Sequence, residues 1–200
     1  MKSAHKRVIG AAVVAAVLAL AAYGYSQVPA AGKPSKPSAP TKNHRARQPR
    51  PIQLGVSGGN ATDTANGYCC SGTLGALVVD SGGTQYILSN THVFAHDITA
   101  GDADGVAEVG DPIDQPGLVD VSCQDPREDY VAHLSEWAPL DGTANVDAAI
   151  AEVVQGAVRS DGAILEIGTI AATTVSAGLN QPVKKSGRTT GLTSSYVTAI

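Results

Sequence analysis

Two side chains suited to acid–base chemistry stand beside apolar runs in this sequence. His92 follows the apolar stretch Tyr86–Leu88 after a short polar corner, and Asp147 lies among small and branched apolar residues. An unpaired carboxylate in apolar surroundings is costly, and the Nδ1–H group of an imidazole is a suitable partner for it. We therefore predict that Asp147 orients His92, which would act as a general base. The alternative is that Asp147 caps a turn by binding main-chain N–H groups.

A histidine base of this kind needs a nucleophile to activate, and the serines of the chain offer little support for one. Ser81 lies in the sequence Asp-Ser-Gly-Gly at 80–83, but two β-rich runs flank it closely, and a hairpin turn accounts for these residues. No motif supports Ser186, Ser194 or Ser195. The nucleophile is therefore left unassigned within the 200 residues.

Metal binding is a second chemistry that the histidines and acids of this chain allow. His92 and His96 are spaced as one face of a helix would place them, and residues 102–105 resemble half a calcium loop. A zinc enzyme of the His-Glu-x-x-His type needs a glutamate where Val93 stands. The calcium loop lacks its closing bidentate glutamate at the required spacing. We assign no metal site and no cofactor, and keep metal binding as an alternative.

Three cysteines, Cys69, Cys70 and Cys123, allow one disulfide in an exported protein. Neighbouring residues of an extended strand point to opposite faces, so Cys69 and Cys70 cannot both reach Cys123 equally well. We predict a disulfide between Cys70 and Cys123.

Short β-rich runs separated by turns are typical of an all-β fold, a barrel or a sandwich. Asp80 to Gly83 predicts a hairpin turn between two of these runs. The predicted strands are Ile52–Val56, Thr73–Val79, Thr84–Ser89, Tyr130–Leu134, Val146–Val153, Ala163–Ile167, Gln181–Gly187 and Tyr196–Ile200.

Charge is distributed very unevenly along the chain. Residues 1–50 hold nine Lys and Arg and no acid, whereas residues 51–200 hold five bases and all 18 acids. An acidic body argues against nucleic-acid binding. We therefore expect no nucleic-acid partner.

The N-terminus has the pattern of an export signal. Three basic residues precede an uncharged, Ala- and Leu-rich run over 8–25, so residues 1–25 predict a signal peptide or an N-terminal membrane anchor. Residues 26–50 are basic and Pro-rich and predict a disordered linker. We expect an exported protein, secreted, periplasmic or in the cell envelope, with possible membrane association through residues 8–25.

Several motifs, in their order along the chain, resemble those of the trypsin-like serine proteases, exported bacterial members in particular. The resemblance covers about residues 51–200. The matching segments are Cys70–Leu74, Leu88–His92, Gly110–Ile113, Gln115–Gly117, Val146–Ile150 and Lys185–Gly191.

This resemblance implies a double β-barrel, with the first barrel complete over 51–155 and the second only begun over 156–200. It implies a His-Asp-Ser triad acting on a peptide or protein substrate, with His92 and Asp147 in two of the three roles. The serine would lie in a Gly-Asp-Ser-Gly loop beyond Ile200, so the chain as given would be inactive. The alternatives are a non-catalytic cell-envelope binding protein and a metal-binding surface protein.

Overall fold

The computed structural model describes residues 42–65, 68–95, 107–124, 130–143 and 145–200. Within these ranges the regular secondary structure is almost entirely β-strand, which confirms the all-β prediction. No helix in this part is long and apolar enough to cross a membrane. The predicted signal peptide or anchor, and the linker up to residue 41, lie outside the described residues.

The described residues form eleven strands and two short helices. The strands are β1 (Val56–Asn60), β2 (Thr64–Ala65), β3 (Tyr68–Cys69), β4 (Gly72–Leu74), β5 (Ala76–Val79), β6 (Gln85–Ser89), β7 (Pro112–Asp114), β8 (Tyr130–Trp137), β9 (Ala149–Val153), β10 (Pro182–Gly187) and β11 (Gly191–Tyr196). The helices are α1 (Thr91–Phe94) and a 3-10 helix (Leu118–Val121). Seven strands form one antiparallel sheet in the order β4-β1-β7-β8-β9-β6-β5.

The two end strands of this order, β4 and β5, are separated in the chain only by Gly75. The Gly75 N–H donates to the Leu88 carbonyl (3.1 Å), and the Ser89 hydroxyl donates to the Thr73 carbonyl (2.8 Å). Both end strands therefore approach β6, and the sheet is a nearly closed barrel. A Cβ atom at position 75 would lie 2.5 Å from the Leu88 oxygen, which explains the glycine at this corner.

Apolar side chains from the strands and from α1 fill the interior of the barrel. On β6, for example, Ile87 is fully buried while Leu88 points outward, as the two-residue period of a strand requires. The largest members of this core include Ile52, Leu54, Leu74, Ile87, Phe94, Ile113, Val131 and Leu134.

The stretch before β1 runs beside residues 157–165. Main-chain hydrogen bonds of 2.8 to 3.0 Å join Ile52 and Leu54 to that segment. We predicted a disordered linker up to residue 50, but residues 42–50 already contact the barrel, and His44 is buried. Hydrogen bonds rather than apolar side chains hold this stretch, so its composition does not reveal the order.

The hairpin β10–β11 forms a separate two-stranded sheet. The predicted strand Gln181–Gly187 is confirmed as β10. The prediction for Tyr196–Ile200 is wrong, because the chain turns immediately after β10 and β11 ends at Tyr196. In place of the predicted strand Ile52–Val56 the structure has isolated bridges at Ile52 and Leu54, and β1 begins only at Val56. The predicted strand Ala163–Ile167 is reduced to an isolated bridge position at Ile164.

Candidate active site

Strand register brings His92 and Asp147 together. β6 pairs with β9 in antiparallel fashion, with Ser89 opposite Ala149. His92 lies just beyond the end of β6, on α1, and Asp147 lies just before the start of β9. These two strand ends lie side by side at the same end of the barrel, so side chains 55 residues apart in sequence become neighbours.

The carboxylate of Asp147 makes two contacts with His92. The ring nitrogen Nδ1 lies 2.5 Å from Oδ2, and the main-chain N–H donates to Oδ1 at 3.3 Å. Partial burial alone would raise the pKa of the Asp147 carboxyl. The hydrogen bonds from the His92 ring and main chain outweigh that effect and hold the pKa below its ordinary value of 3.8.

The contact with Asp147 also determines which ring nitrogen of His92 carries a hydrogen. An ionised carboxylate can only accept, so Nδ1 is the donor and the neutral ring has its lone pair on Nε2. The His92 side chain is 40% exposed. The imidazole can therefore accept a proton from a group that approaches from solvent.

Thr91 attaches α1 to the strands on either side of Asp147. This residue is fully buried, and its hydroxyl lies 2.8 Å from the Ala138 carbonyl and 2.9 Å from the Ala148 carbonyl. The Ala138 N–H also donates to the Ala148 carbonyl at 2.8 Å. These bonds hold the first turn of α1 against the ends of β8 and β9.

A shallow apolar depression of about 450 Å³ adjoins this region. It lies on the outer face of β6, β8 and β9, and Ala148, which follows Asp147 directly, forms part of its wall. Its other lining residues include Leu88, Trp137, Pro139 and Ile150, with Glu136 as the charged member.

The described serines considered as nucleophiles lie in other surroundings. Ser81 is in the turn between β5 and β6, where the Asp80 carboxylate accepts from the N–H groups of Gly82 and Thr84. The predicted hairpin is thus confirmed. Ser194 and Ser195 lie on β11. No hydroxyl or thiol within the described ranges is hydrogen-bonded to the His92 ring.

Ser186 belongs to a second histidine–carboxylate cluster, which the sequence analysis missed. His44 Nε2 lies 2.7 Å from Glu166 Oε2, and His44 Nδ1 lies 2.8 Å from the Gly55 carbonyl. The Ser186 hydroxyl donates to the same carbonyl at 3.1 Å and lies 3.3 Å from Nδ1. The side chains of His44 and Glu166 are 1% and 7% exposed.

This second cluster resembles a triad in composition but not in hydrogen bonding. Both ring nitrogens of His44 face acceptors, so both act as donors, as in an imidazolium paired with a carboxylate. The ring has no lone pair for the Ser186 hydroxyl, whose hydrogen is already given to Gly55. We assign the cluster a structural role, that of tying the stretch before β1 to Glu166 and β10.

The disulfide joins Cys69 to Cys123, with a Cα–Cα distance of 5.6 Å. One disulfide was expected, but the predicted partner, Cys70, was wrong. Adjacent residues of an extended chain face opposite ways, and Cys69 is the one that faces the turn after the 3-10 helix. That direction depends on tertiary packing, which the spacing of the cysteines does not encode.

The metal alternative falls mainly on residues that the structure does not describe. His96 and the acidic segment 102–105 lie outside the described ranges. Among the residues that are described, no group of three or more His, Cys, Asp or Glu side chains is arranged to hold a metal ion.

Comparison with known proteins adds no identification. No model of a known protein family matches this chain, and no curated protein matches it.

Proposed function

We propose that this domain is part of an exported serine endopeptidase of the trypsin-like type, with His92 as general base and Asp147 as its orienting carboxylate. The observation that carries the proposal is the 2.5 Å contact between His92 Nδ1 and Asp147 Oδ2 at one end of a nearly closed β-barrel. The chain order, histidine before aspartate, is that of the same protease type.

In the proposed mechanism, Nε2 of His92 takes the proton of a serine hydroxyl as the hydroxyl oxygen attacks a peptide carbonyl carbon. The proton then passes to the leaving amine, and an attacking water molecule repeats the cycle to release the acyl group. Asp147 keeps the hydrogen on Nδ1 and stabilises the imidazolium formed on the way. Donors aimed at the oxyanion would be needed as well.

The proposed mechanism also needs a nucleophile and a substrate-binding surface. Because no described serine is hydrogen-bonded to the His92 ring, we propose that the nucleophile comes from residues outside the described ranges. The hairpin β10–β11 would begin the second barrel. Peptides or proteins would be the substrates, and the apolar depression beside Asp147 would receive an apolar side chain. No cofactor is required, and residues 1–25 would direct export.

Labelling by a fluorophosphonate probe tests this proposal on the protein expressed from its whole gene. We expect Asp147→Asn to slow labelling by about 10⁴-fold and His92→Ala by up to about 10⁶-fold, as loss of these triad members does. His133→Ala is the matched control, because its imidazole is exposed on β8 and bonds only a main-chain carbonyl among the described residues. Ser81→Ala should also label normally. Equal labelling of His92→Ala and the native protein would refute the assignment.

A non-catalytic binding protein is the second candidate. Apolar side chains are exposed in and near the hairpin, including Val175 (76%), Leu179 (54%) and Tyr196 (62%). Exposed apolar groups are common where proteins bind one another. A native protein that never reacts with the probe, yet binds its partner equally well after His92→Ala, would favour this candidate over the peptidase.

A further inference from the structure

Asn90 stands at the N-cap position of α1 but does not cap it. Asparagine is among the most favoured residues at this position because its side-chain oxygen accepts from the first free N–H groups of a helix. Here the Asn90 backbone is extended, and its side chain makes no capping hydrogen bond. Its amide group Nδ2 donates instead to the main-chain carbonyl of Asp147, at 2.9 Å.

The capping role is taken by Asp147, from the other side of the strand pair. Its carboxylate accepts from the main-chain N–H of His92 at 3.3 Å, and a hydrogen bond from the Thr91 main chain also lowers its pKa. The two residues thus exchange bonds. Asn90 binds the backbone of Asp147, and Asp147 binds the backbone that follows Asn90.

We propose that Asn90 is a positioning residue for the pair formed by His92 and Asp147. Residues 145–148 have no regular secondary structure, so no strand pairing fixes the peptide plane of Asp147. The Asn90 amide binds that carbonyl and so fixes the position of Asp147. One oxygen of the Asp147 carboxylate can then accept from the backbone of α1 while the other accepts from His92 Nδ1. The inference rests on the proposed function, since a positioned base matters only where His92 acts as one.

A merely structural role for Asn90 leads to a different expectation. Asn90 is exposed, and an exposed neutral hydrogen bond contributes little to the stability of a whole domain. Its loss should leave the melting temperature nearly unchanged. A positioning role predicts that the same loss changes the His92–Asp147 contact, which nuclear magnetic resonance can observe directly.

The experiment measures hydrogen exchange with water at His92 Nδ1–H in this chain labelled with ¹⁵N-histidine. We expect Asn90→Ala to speed that exchange by about 2- to 10-fold, the range that corresponds to losing one hydrogen bond. Asn90→Gln keeps an amide donor and should restore part of the protection. Asn90→Ser keeps a favoured N-cap residue but cannot reach the Asp147 carbonyl, so it should behave like Asn90→Ala and serves if that variant folds poorly. Asn145→Ala is the matched control in the same loop.

Unchanged exchange in Asn90→Ser and Asn90→Ala would overturn the inference, as would an equal effect of Asn145→Ala. These results are independent of the probe-labelling test, because the resonance reports on the pair without any nucleophile. If hydrogen exchange at His92 Nδ1–H is faster in the Asn90 variants but the native protein never reacts with the fluorophosphonate probe, Asn90 remains the positioning residue and the peptidase is rejected. If exchange is unchanged in the Asn90 variants and the native protein does react with the probe, only the role of Asn90 is rejected.

Discussion

The ion pair between Arg188 and Asp120 offers a quantitative test of how the hairpin is joined to the barrel. Arg188 donates through Nε at 2.6 Å and through a terminal nitrogen at 2.7 Å, and the Ser57 hydroxyl donates to the same carboxylate at 2.6 Å. The two charged side chains are only 13% and 8% exposed. This geometry is that of a two-point ion pair largely shielded from water.

Removing Arg188 should therefore cost more than removing a surface charge. Breaking a buried pair from one side costs about 3–5 kcal/mol, and an exposed pair contributes about 0–1 kcal/mol. Ser57 remains as a donor to the carboxylate, so we expect Arg188→Ala to lower the free energy of unfolding by about 2–3 kcal/mol. Urea denaturation of this chain followed by circular dichroism measures the change.

Arg159 supplies a matched control with the same chemistry on the surface. Its guanidinium also binds a carboxylate at two points, that of Asp161, but these side chains are 46% and 41% exposed. Arg159→Ala should lower the free energy of unfolding much less than Arg188→Ala does, because solvent screens an exposed ion pair. Equal losses in the two variants would refute the argument that shielding gives the Arg188 pair its strength.

The pH dependence of the same pair has a definite sign. Desolvation alone would raise the pKa of Asp120, but the hydrogen bonds from Arg188 and Ser57 outweigh it and hold the pKa below 3.8. The pKa of Asp120 is lower in the folded than in the unfolded chain. The ion pair therefore contributes its full stability above the unfolded pKa, and this contribution is lost as the pH falls through the folded pKa. The stability difference between the native chain and Arg188→Ala should narrow as the pH is taken below about 4. A difference that stays constant or widens there would contradict the assigned ion pair.

Two further predictions concern the disulfide and the buried histidine. Cys69→Ser opens a loop that spans 54 residues and should cost about 4 kcal/mol in a thermal or urea melt, whereas Cys70→Ser should cost less than about 1 kcal/mol. The reverse order would contradict the observed pairing. Glu166→Ala leaves His44 without its carboxylate and should cost about 3–5 kcal/mol, but Glu166→Gln should cost less than half of that, because its amide can donate to Nε2 of a neutral ring. Equal losses in the two Glu166 variants would show that the hydrogen-bond count at His44 is not what stabilises the cluster.

Where side-chain alternation and turn chemistry dominate, the sequence predicts the fold well. β6 and its turn at 80–84 were expected because two runs rich in strand-favouring residues flank an Asp-Ser-Gly-Gly sequence. The neighbourhood of His92 and Asp147 was expected from chemistry, since a carboxylate among apolar residues needs a partner. At these positions the local sequence pattern and the need to pair a buried carboxylate both favour the structure that is observed.

The elements that the sequence analysis missed have tertiary causes. β1 contains Gly58 and Gly59, which strand propensity disfavours. A Cβ atom at position 58 would lie 2.4 Å from the Leu74 side chain, so the close approach of β4 requires glycine there. His44 was missed for a similar reason, because its partners Gly55 and Glu166 lie 11 and 122 residues away.

Two histidine–carboxylate pairs among the described residues show why residue type alone does not identify a base. Each imidazole has one nitrogen bonded to a carboxylate, so the second nitrogen decides what the ring can do. In His44 that nitrogen donates to the Gly55 carbonyl and the side chain is 1% exposed, so neither a lone pair nor access remains. In the neutral form of His92 the second nitrogen has a lone pair, and the side chain is 40% exposed. General-base chemistry requires both properties, and His92 has both whereas His44 has neither.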